Sequence, residues 1–132
     1  MSILRIREAQ MRALRETTTV FQVEGGLVRL FPVQCREMSS ATRYEFAESS
    51  IEKARGFGFE PDQYLGFAAL LLVFGESFWE EEEYSWARNI LADPWLWTPD
   101  QRLHELREAS VRHLASLAEE EPVFIERIGE LA

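Results

Sequence analysis

The most hydrophobic stretch of the chain lies near its middle. Between Leu65 and Phe74 every residue is apolar except Gly66, which carries no side chain. A helix on a protein surface keeps a polar face, so a helix without one is expected to be surrounded by others. Pro61 suits its first position and Gly75 its left-handed end. The pattern predicts a central core helix over residues 60–75, shorter than the ~20 apolar residues that a membrane span needs.

A second helix is predicted before the central one. Ser39, Ser40 or Thr42 can cap it, and it runs to about Arg55. Gly56 and Gly58 are expected to supply left-handed backbone after its end. Its buried stripe is predicted from spacings of three and four: Tyr44, Ala47, Ile51 and Ala54.

Two further helices are predicted after the central one. The acidic run Glu80 to Glu83 is expected to open the first of them, because negative charge complements a helix N-terminus. Its apolar face is Trp86, Ala87, Ile90 and Leu91, and Asp93-Pro94 ends it. Thr98-Pro99-Asp100-Gln101 predicts the next start through a capping box. The stripe of that last helix is Leu103, Leu106, Ser110, Leu114, Leu117 and Ala118.

Residues 5–31 allow two interpretations. As a helix, their apolar side chains fall within an arc of ~140°. As strands, residues 17–23 and 27–31 flank Glu24-Gly25-Gly26 and form a hairpin. The helix is favoured, because an isolated hairpin is marginal and no other strand extends it. The helical stripe is Ile6, Ala9, Ala13, Leu14, Val20, Phe21, Leu27, Val28 and Phe31.

These elements together predict an all-α, compact single-domain bundle of about five helices around residues 60–75. The domain is expected to cover residues 1–121, with 122–132 as an acidic C-terminal tail or short helix. Residues 33–40 are expected to form a loop after Pro32 ends the first helix.

Composition narrows the possible partners. The net charge of −9 argues against DNA or RNA, since phosphate binding needs a basic surface. The N-terminus lacks the apolar core of a signal peptide, and no stretch is long enough for a membrane span. A single cysteine, Cys35, fits reducing surroundings. The default expectation is therefore the cytoplasm, without a membrane partner.

Candidate catalytic and metal chemistry is sparse. His104 and His113 are nine residues apart, so on one helix they point to opposite sides. Cys35 lies in the predicted loop and is expected to be a buried packing thiol. Glu24 is the candidate buried acid, and an Arg partner is expected for it. The sequence contains no nucleotide-binding or nucleophile motif, so no catalytic residue, metal or cofactor is predicted.

Aromatic and acidic residues concentrate in one part of the chain. Exposed aromatics beside carboxylates are typical anchors of protein interfaces, although core closure is the alternative. Exposed aromatics also make a homodimer possible. The predicted protein-binding residues are Trp79, Trp95, Trp97, Glu80, Glu81, Glu82 and Glu83.

Several short motifs occur in an order that resembles a family of small bacterial helical proteins. They are Leu30-Phe31-Pro32, Ile51 with Ala54-Arg55-Gly56-Phe57-Gly58, Gly75-Glu76-Ser77-Phe78, and Trp86-Ala87-Arg88-Asn89-Ile90-Leu91-Ala92-Asp93. Members of this family accompany type VI secretion effector clusters, near spike-tip proteins and adaptor chaperones. The resemblance covers roughly residues 6–118 and implies an accessory or co-chaperone role without catalytic residues.

Three functional hypotheses follow. The leading one is a non-enzymatic partner of a type VI adaptor, effector or spike-tip protein. The alternative is an immunity protein that neutralises a basic toxin domain through charge complementarity. The third is a small enzyme that uses Cys35 or clustered carboxylates, which the missing motifs disfavour.

Overall fold

The computed structural model describes residues 3–92 and 97–117, with side chains from Arg7 onward. All regular structure in these ranges is helical, which confirms the predicted all-α bundle class. The α-helices are α1 (Ile3–Leu30), α2 (Pro32–Arg36), α3 (Ser40–Gly56), α4 (Pro61–Phe74), α5 (Ser85–Leu91) and α6 (Pro99–Ser116). Two 3₁₀ turns, Phe78–Glu80 and Glu82–Tyr84, precede α5. Along the described helices, no stretch is both long and apolar enough to cross a membrane.

The chain divides into two compact units, Met1–Glu48 and Ser49–Ala132. Helix α3 crosses the boundary and contributes to both. The predicted single domain over residues 1–121 stays a prediction, and the predicted tail at 122–132 lies outside the described residues.

Helix α1 confirms the helical interpretation of residues 5–31, but its predicted buried stripe is only partly confirmed: Val20 and Leu27 are buried as predicted, and Val23 is buried although it was not predicted. Val20, Val23 and Leu27 are buried, whereas Phe21 and Val28 are 57% and 39% exposed. Of the other predicted stripe positions, Phe31 is buried, Ala9, Ala13 and Leu14 are exposed, and the Ile6 side chain is not described. The helix carries two apolar stripes, and only the side chains of the shorter one, Val20, Val23 and Leu27, are fully buried.

The three threonines that the hairpin interpretation placed in a strand lie within helix α1. Thr17, Thr18 and Thr19 each donate a side-chain hydrogen bond to the carbonyl four residues earlier, at 2.9 to 3.0 Å. This bonding satisfies the three hydroxyls within the helix, so they need no partner on another strand.

The loop predicted at residues 33–40 contains a helix. Pro32 ends α1 and occupies the first turn of α2, where its missing N–H costs nothing. Ser39 then caps α3, because its Oγ accepts the backbone N–H of Thr42 at 3.1 Å. The extra helix makes six within the described ranges instead of about five.

Helix α4 is the predicted core helix, and its ends lie where the sequence placed them. Phe67 to Leu70 are fully buried, and Gly75 adopts a φ of 115° that side-chain-bearing residues rarely reach. After α3, Gly58 has a φ of 84°, but Gly56 stays in the helix, which corrects the prediction that both are left-handed.

The starts of α4 and α6 are joined through Gln63. Its side-chain carbonyl accepts the Glu60 N–H at 2.9 Å, and its amide donates to Asp100 Oδ1 at 2.7 Å. Helix α6 carries the predicted capping box of Thr98 and Gln101. Leu103, Leu106, Ser110 and Leu114 are buried as predicted, Leu117 is half exposed, and Ala118 lies outside the described residues.

Candidate functional site

The acidic run does not open a helix, which corrects the prediction from the sequence. Glu80 to Glu83 instead span the two 3₁₀ turns before α5, and all four are exposed. The correction has a physical reason: Phe78, which is 1% exposed, turns the chain into the core and interrupts the α-helical path. We call residues 80–83 the acidic turns.

An aromatic cluster lies directly beneath the acidic turns. The Tyr84 ring centroid is 5.2 Å from that of Phe74 and 5.1 Å from that of His113. Trp86 lies 6.1 Å from Phe78. Such edge-to-face and tilted contacts add to the burial of apolar area and favour one arrangement of the rings. The acidic turns are therefore packed against an ordered aromatic cluster.

The Trp79 side chain packs against the aromatic cluster and is only partly exposed to solvent. Its ring is half-buried and lies 5.0 Å from Phe57 and 6.1 Å from Phe67. The side chain that was predicted as an interface anchor thus also closes the core.

Arg88 holds the backbone of the acidic turns. Its Nε donates to the carbonyl of Trp79 at 2.9 Å, and its Nη2 donates to the carbonyl of Glu80 at 2.8 Å. Its Nη1 is 3.8 Å from the Glu82 carboxylate, which is 94% exposed, so this ion pair adds little stability. Arg88 thus acts mainly as a backbone clamp.

Charges in this region act on two neighbouring groups. The Nε2 atom of His113 lies 3.5 Å from the Glu83 carboxylate. Burial raises the pKa of the Tyr84 hydroxyl, and the negative charges of Glu83 and Glu81 raise it further. Tyr84 therefore stays neutral at physiological pH.

The structure does not bring all the predicted binding residues together. Trp97 is half-buried beside Asp100, Gln101, His104 and Glu105, at the start of α6. Glu83 contacts His113, near the end of the same helix. The two positions are about 20 Å apart along α6 at 1.5 Å per residue. Trp95 lies outside the described residues.

A second polar cluster surrounds Glu24. As predicted, the partner of Glu24 is an arginine, Arg43, whose Nε lies 3.3 Å from the carboxylate. Cys35 lies beside them and is 2% exposed, as expected for a packing thiol. Burial raises the pKa of the Cys35 thiol, the Arg43 charge lowers it, and the Glu24 charge raises it. The thiol is therefore a weak nucleophile at neutral pH.

No group of three or more His, Cys, Asp or Glu side chains in the described ranges is arranged to hold a metal ion. His104 is exposed while His113 packs against Tyr84, consistent with their predicted opposite directions.

Two features were not found from the sequence. Arg88 donates to the backbone carbonyls of Glu80 and Trp79, eight and nine residues earlier. Every residue type has the same backbone carbonyl, so the sequence does not reveal these bonds. Arg102 is 2% exposed and its guanidinium stacks 4.7 Å over the Phe59 ring, a contact between residues distant in sequence that the hydrophobic pattern does not indicate.

Comparisons of the chain with protein-family models, with curated proteins and with solved structures find no match.

Proposed function

We propose that the chain is a non-enzymatic accessory protein of a type VI secretion system. In this proposal it binds an adaptor chaperone, effector or spike-tip protein in the cytoplasm through its acidic turns. The observation that supports the binding surface is the row of four exposed carboxylates on backbone held by Arg88. The class of partner comes from the resemblance in the sequence.

Preorganisation is the first argument for a binding role. An exposed loop that must be ordered on binding loses affinity through conformational entropy. The clamp by Arg88 and the ring contacts of Tyr84 order the acidic turns before a partner arrives.

The excess of negative charge in the acidic turns is the second argument. The guanidinium of Arg88 is used by backbone carbonyls, and its approach to Glu82 is long and solvated. Arg88 supplies one positive charge against the four carboxylates, so the acidic turns keep an excess of negative charge that suits a partner with a basic patch. Such fields speed encounter and select partners more than they add affinity, and salt screens them.

The test is a pull-down with the tagged full-length chain from a lysate of the source organism, read by mass spectrometry. The variant carries Glu80→Lys, Glu81→Lys, Glu82→Lys and Glu83→Lys. A matched control reverses four other exposed glutamates: Glu37, Glu45, Glu48 and Glu52. Circular dichroism verifies that both variants remain helical.

The proposal expects an adaptor, effector or spike-tip protein with the wild-type chain and the control, and its loss with the variant and at high salt. Equal capture by the variant would reject the acidic turns as the surface. Capture of a toxin without an adaptor, with rescue of toxin-expressing cells by this chain alone, would replace the proposal with the immunity-protein alternative.

A further inference from the structure

Helix α1 exposes an apolar stripe on the side away from its buried face. Met11, Leu14, Phe21 and Val28 are 48%, 62%, 57% and 39% exposed. At ~100° per residue they fall within an arc of about 100°, whose centre is about 160° from that of Val20, Val23 and Leu27. We call the six exposed positions 11, 14, 18, 21, 25 and 28 the outer stripe.

Residues 7–16 of α1, whose side chains the structure describes, lack the packing that normally stabilises a helix. Every side chain from Arg7 to Glu16 is exposed, including Ala9, Ala13 and Leu14. Short helices without tertiary contacts are marginal in water, since most helical stability in proteins comes from packing of an apolar face. A partner that covers the outer stripe would supply the packing that these residues lack.

The spacing of the outer stripe is that of a helix-pairing seam. The intervals alternate between three and four, which is the repeat of helices that pack along their length. The two positions of the outer stripe without a large apolar side chain are Thr18 and Gly25. The Thr18 hydroxyl already donates to the Leu14 carbonyl at 2.9 Å, so burial would leave it satisfied.

We propose that the outer stripe pairs with the same stripe of a second copy, in antiparallel orientation. One register places Met11 opposite the partner's Val28, Leu14 opposite the partner's Gly25, and Thr18 opposite the partner's Phe21. Each layer then sets a large residue against a smaller one. A Cβ on Gly25 would meet no atom within 4 Å, so this position is open to receive Leu14 of the second copy.

Charge supports the same orientation. Glu8 and Arg29 are both exposed and flank the seam, and the antiparallel register brings Glu8 of each copy next to Arg29 of the other. A parallel pair would instead set the basic first halves side by side, with Arg7 and Arg15 of each copy near those of the other. It would also place Phe21 against Phe21 and leave a gap between two Gly25 residues.

The Phe21 ring is already positioned by a contact within its own copy. Its ring packs edge-on against Tyr44 at 5.3 Å while more than half of the side chain stays exposed. The ring is thus held in place for the partner's Thr18.

The first experiment measures the mass of the full chain by sedimentation equilibrium over a concentration series. The expected species is a dimer of twice 15.4 kDa at tens of micromolar. Leu14→Glu should raise its dissociation constant at least about 100-fold, because two buried leucines are replaced by charges. The matched control is Ala13→Glu, which adds the same charge at an exposed neighbour off the stripe and should leave the dimer intact.

The orientation is tested by cross-linking in a Cys35→Ala background, which removes the native cysteine. Under oxidation, the double variant Leu14→Cys and Gly25→Cys should form a disulfide-linked dimer, whereas Leu14→Cys alone should not. Efficient cross-linking of Leu14→Cys alone would overturn the antiparallel arrangement.

Other outcomes reject the second copy itself. A wild-type chain that stays monomeric to several hundred micromolar, or a dimer unaffected by Leu14→Glu, would overturn the proposal. A monomer that loses the captured secretion partner through Leu14→Glu would assign the stripe to that partner. The proposal does not depend on the acidic turns, so the Glu80–Glu83 reversal should leave the dimer unchanged.

Discussion

The Arg43 guanidinium lies 3.3 Å from the Glu24 carboxylate and also donates to the carbonyls of Met38 at 2.7 Å and Cys35 at 3.2 Å. One side chain thus joins α1, the end of α2 and α3 within the first unit. The Glu24 side chain is only 14% exposed, so it depends on this partner for compensation of its charge.

Arg43→Met should lower the free energy of unfolding by about 2–3 kcal/mol, since it leaves a largely buried carboxylate and two carbonyls without their donor. Urea denaturation measures the change. Arg36→Met, at an exposed position of α2, is the control and should cost less than about 0.5 kcal/mol. Equal midpoints for the two variants would contradict the role assigned to Arg43.

Cys35 should make stability fall at alkaline pH. Its pKa is raised in the folded chain, mainly by burial, whereas the unfolded thiol titrates near its ordinary value of about 8.5. Above that pH the unfolded chain releases a proton that the folded chain keeps, so the free energy of unfolding decreases as pH rises.

Urea midpoints measured between pH 7 and 9.5 test this effect. In Cys35→Ala the urea midpoint should decrease less with rising pH. The packing lost in this variant should lower the midpoint by a similar amount at every pH. Tyr84→Phe should leave this range unchanged, because the unfolded phenol titrates near pH 10. A slope that survives in Cys35→Ala would assign the effect to another group.

Gly66 should not tolerate a methyl group. A Cβ there would lie 2.8 Å from Cδ2 of Leu103, which is 5% exposed and has little room to move. Gly66→Ala is expected to destabilise by about 1–3 kcal/mol through overpacking.

Gly56→Ala is the matched control for Gly66. Its Cβ would meet nothing within 4 Å, so it should be neutral or stabilise α3 by up to about 1 kcal/mol. Combining Gly66→Ala with Leu103→Ala should show a coupling energy in a double-mutant cycle, and strict additivity would argue against the contact.

Arg88→Ala should loosen the acidic turns without unfolding the chain. Without the two backbone clamps, the amides of Glu80, Glu81 and Tyr84 should exchange with solvent about tenfold faster, for a local loss of roughly 1–2 kcal/mol. Hydrogen exchange with mass spectrometry measures this. Arg112→Ala, exposed on α6, should leave these amides unchanged.

Helices whose ends are set by local chemistry could be predicted from the residues alone. The capping box of Thr98 and Gln101, the Pro61 start and the Gly75 end all act through hydrogen bonds or dihedral angles within a few residues. The all-apolar run of α4 left no alternative to burial, and a carboxylate amid an apolar stripe made an arginine partner for Glu24 expected.

Which helix faces are buried, and how the acidic run is arranged, depend on tertiary contacts. Helix α1 carries two apolar stripes of the same period, so periodicity could not separate buried Val23 from exposed Phe21. The acidic run forms 3₁₀ turns because buried Phe78 and the clamp by Arg88 outweigh the favourable dipole of a helix start. Both outcomes depend on contacts between residues distant along the chain, and residue types alone do not encode which of the possible contacts form.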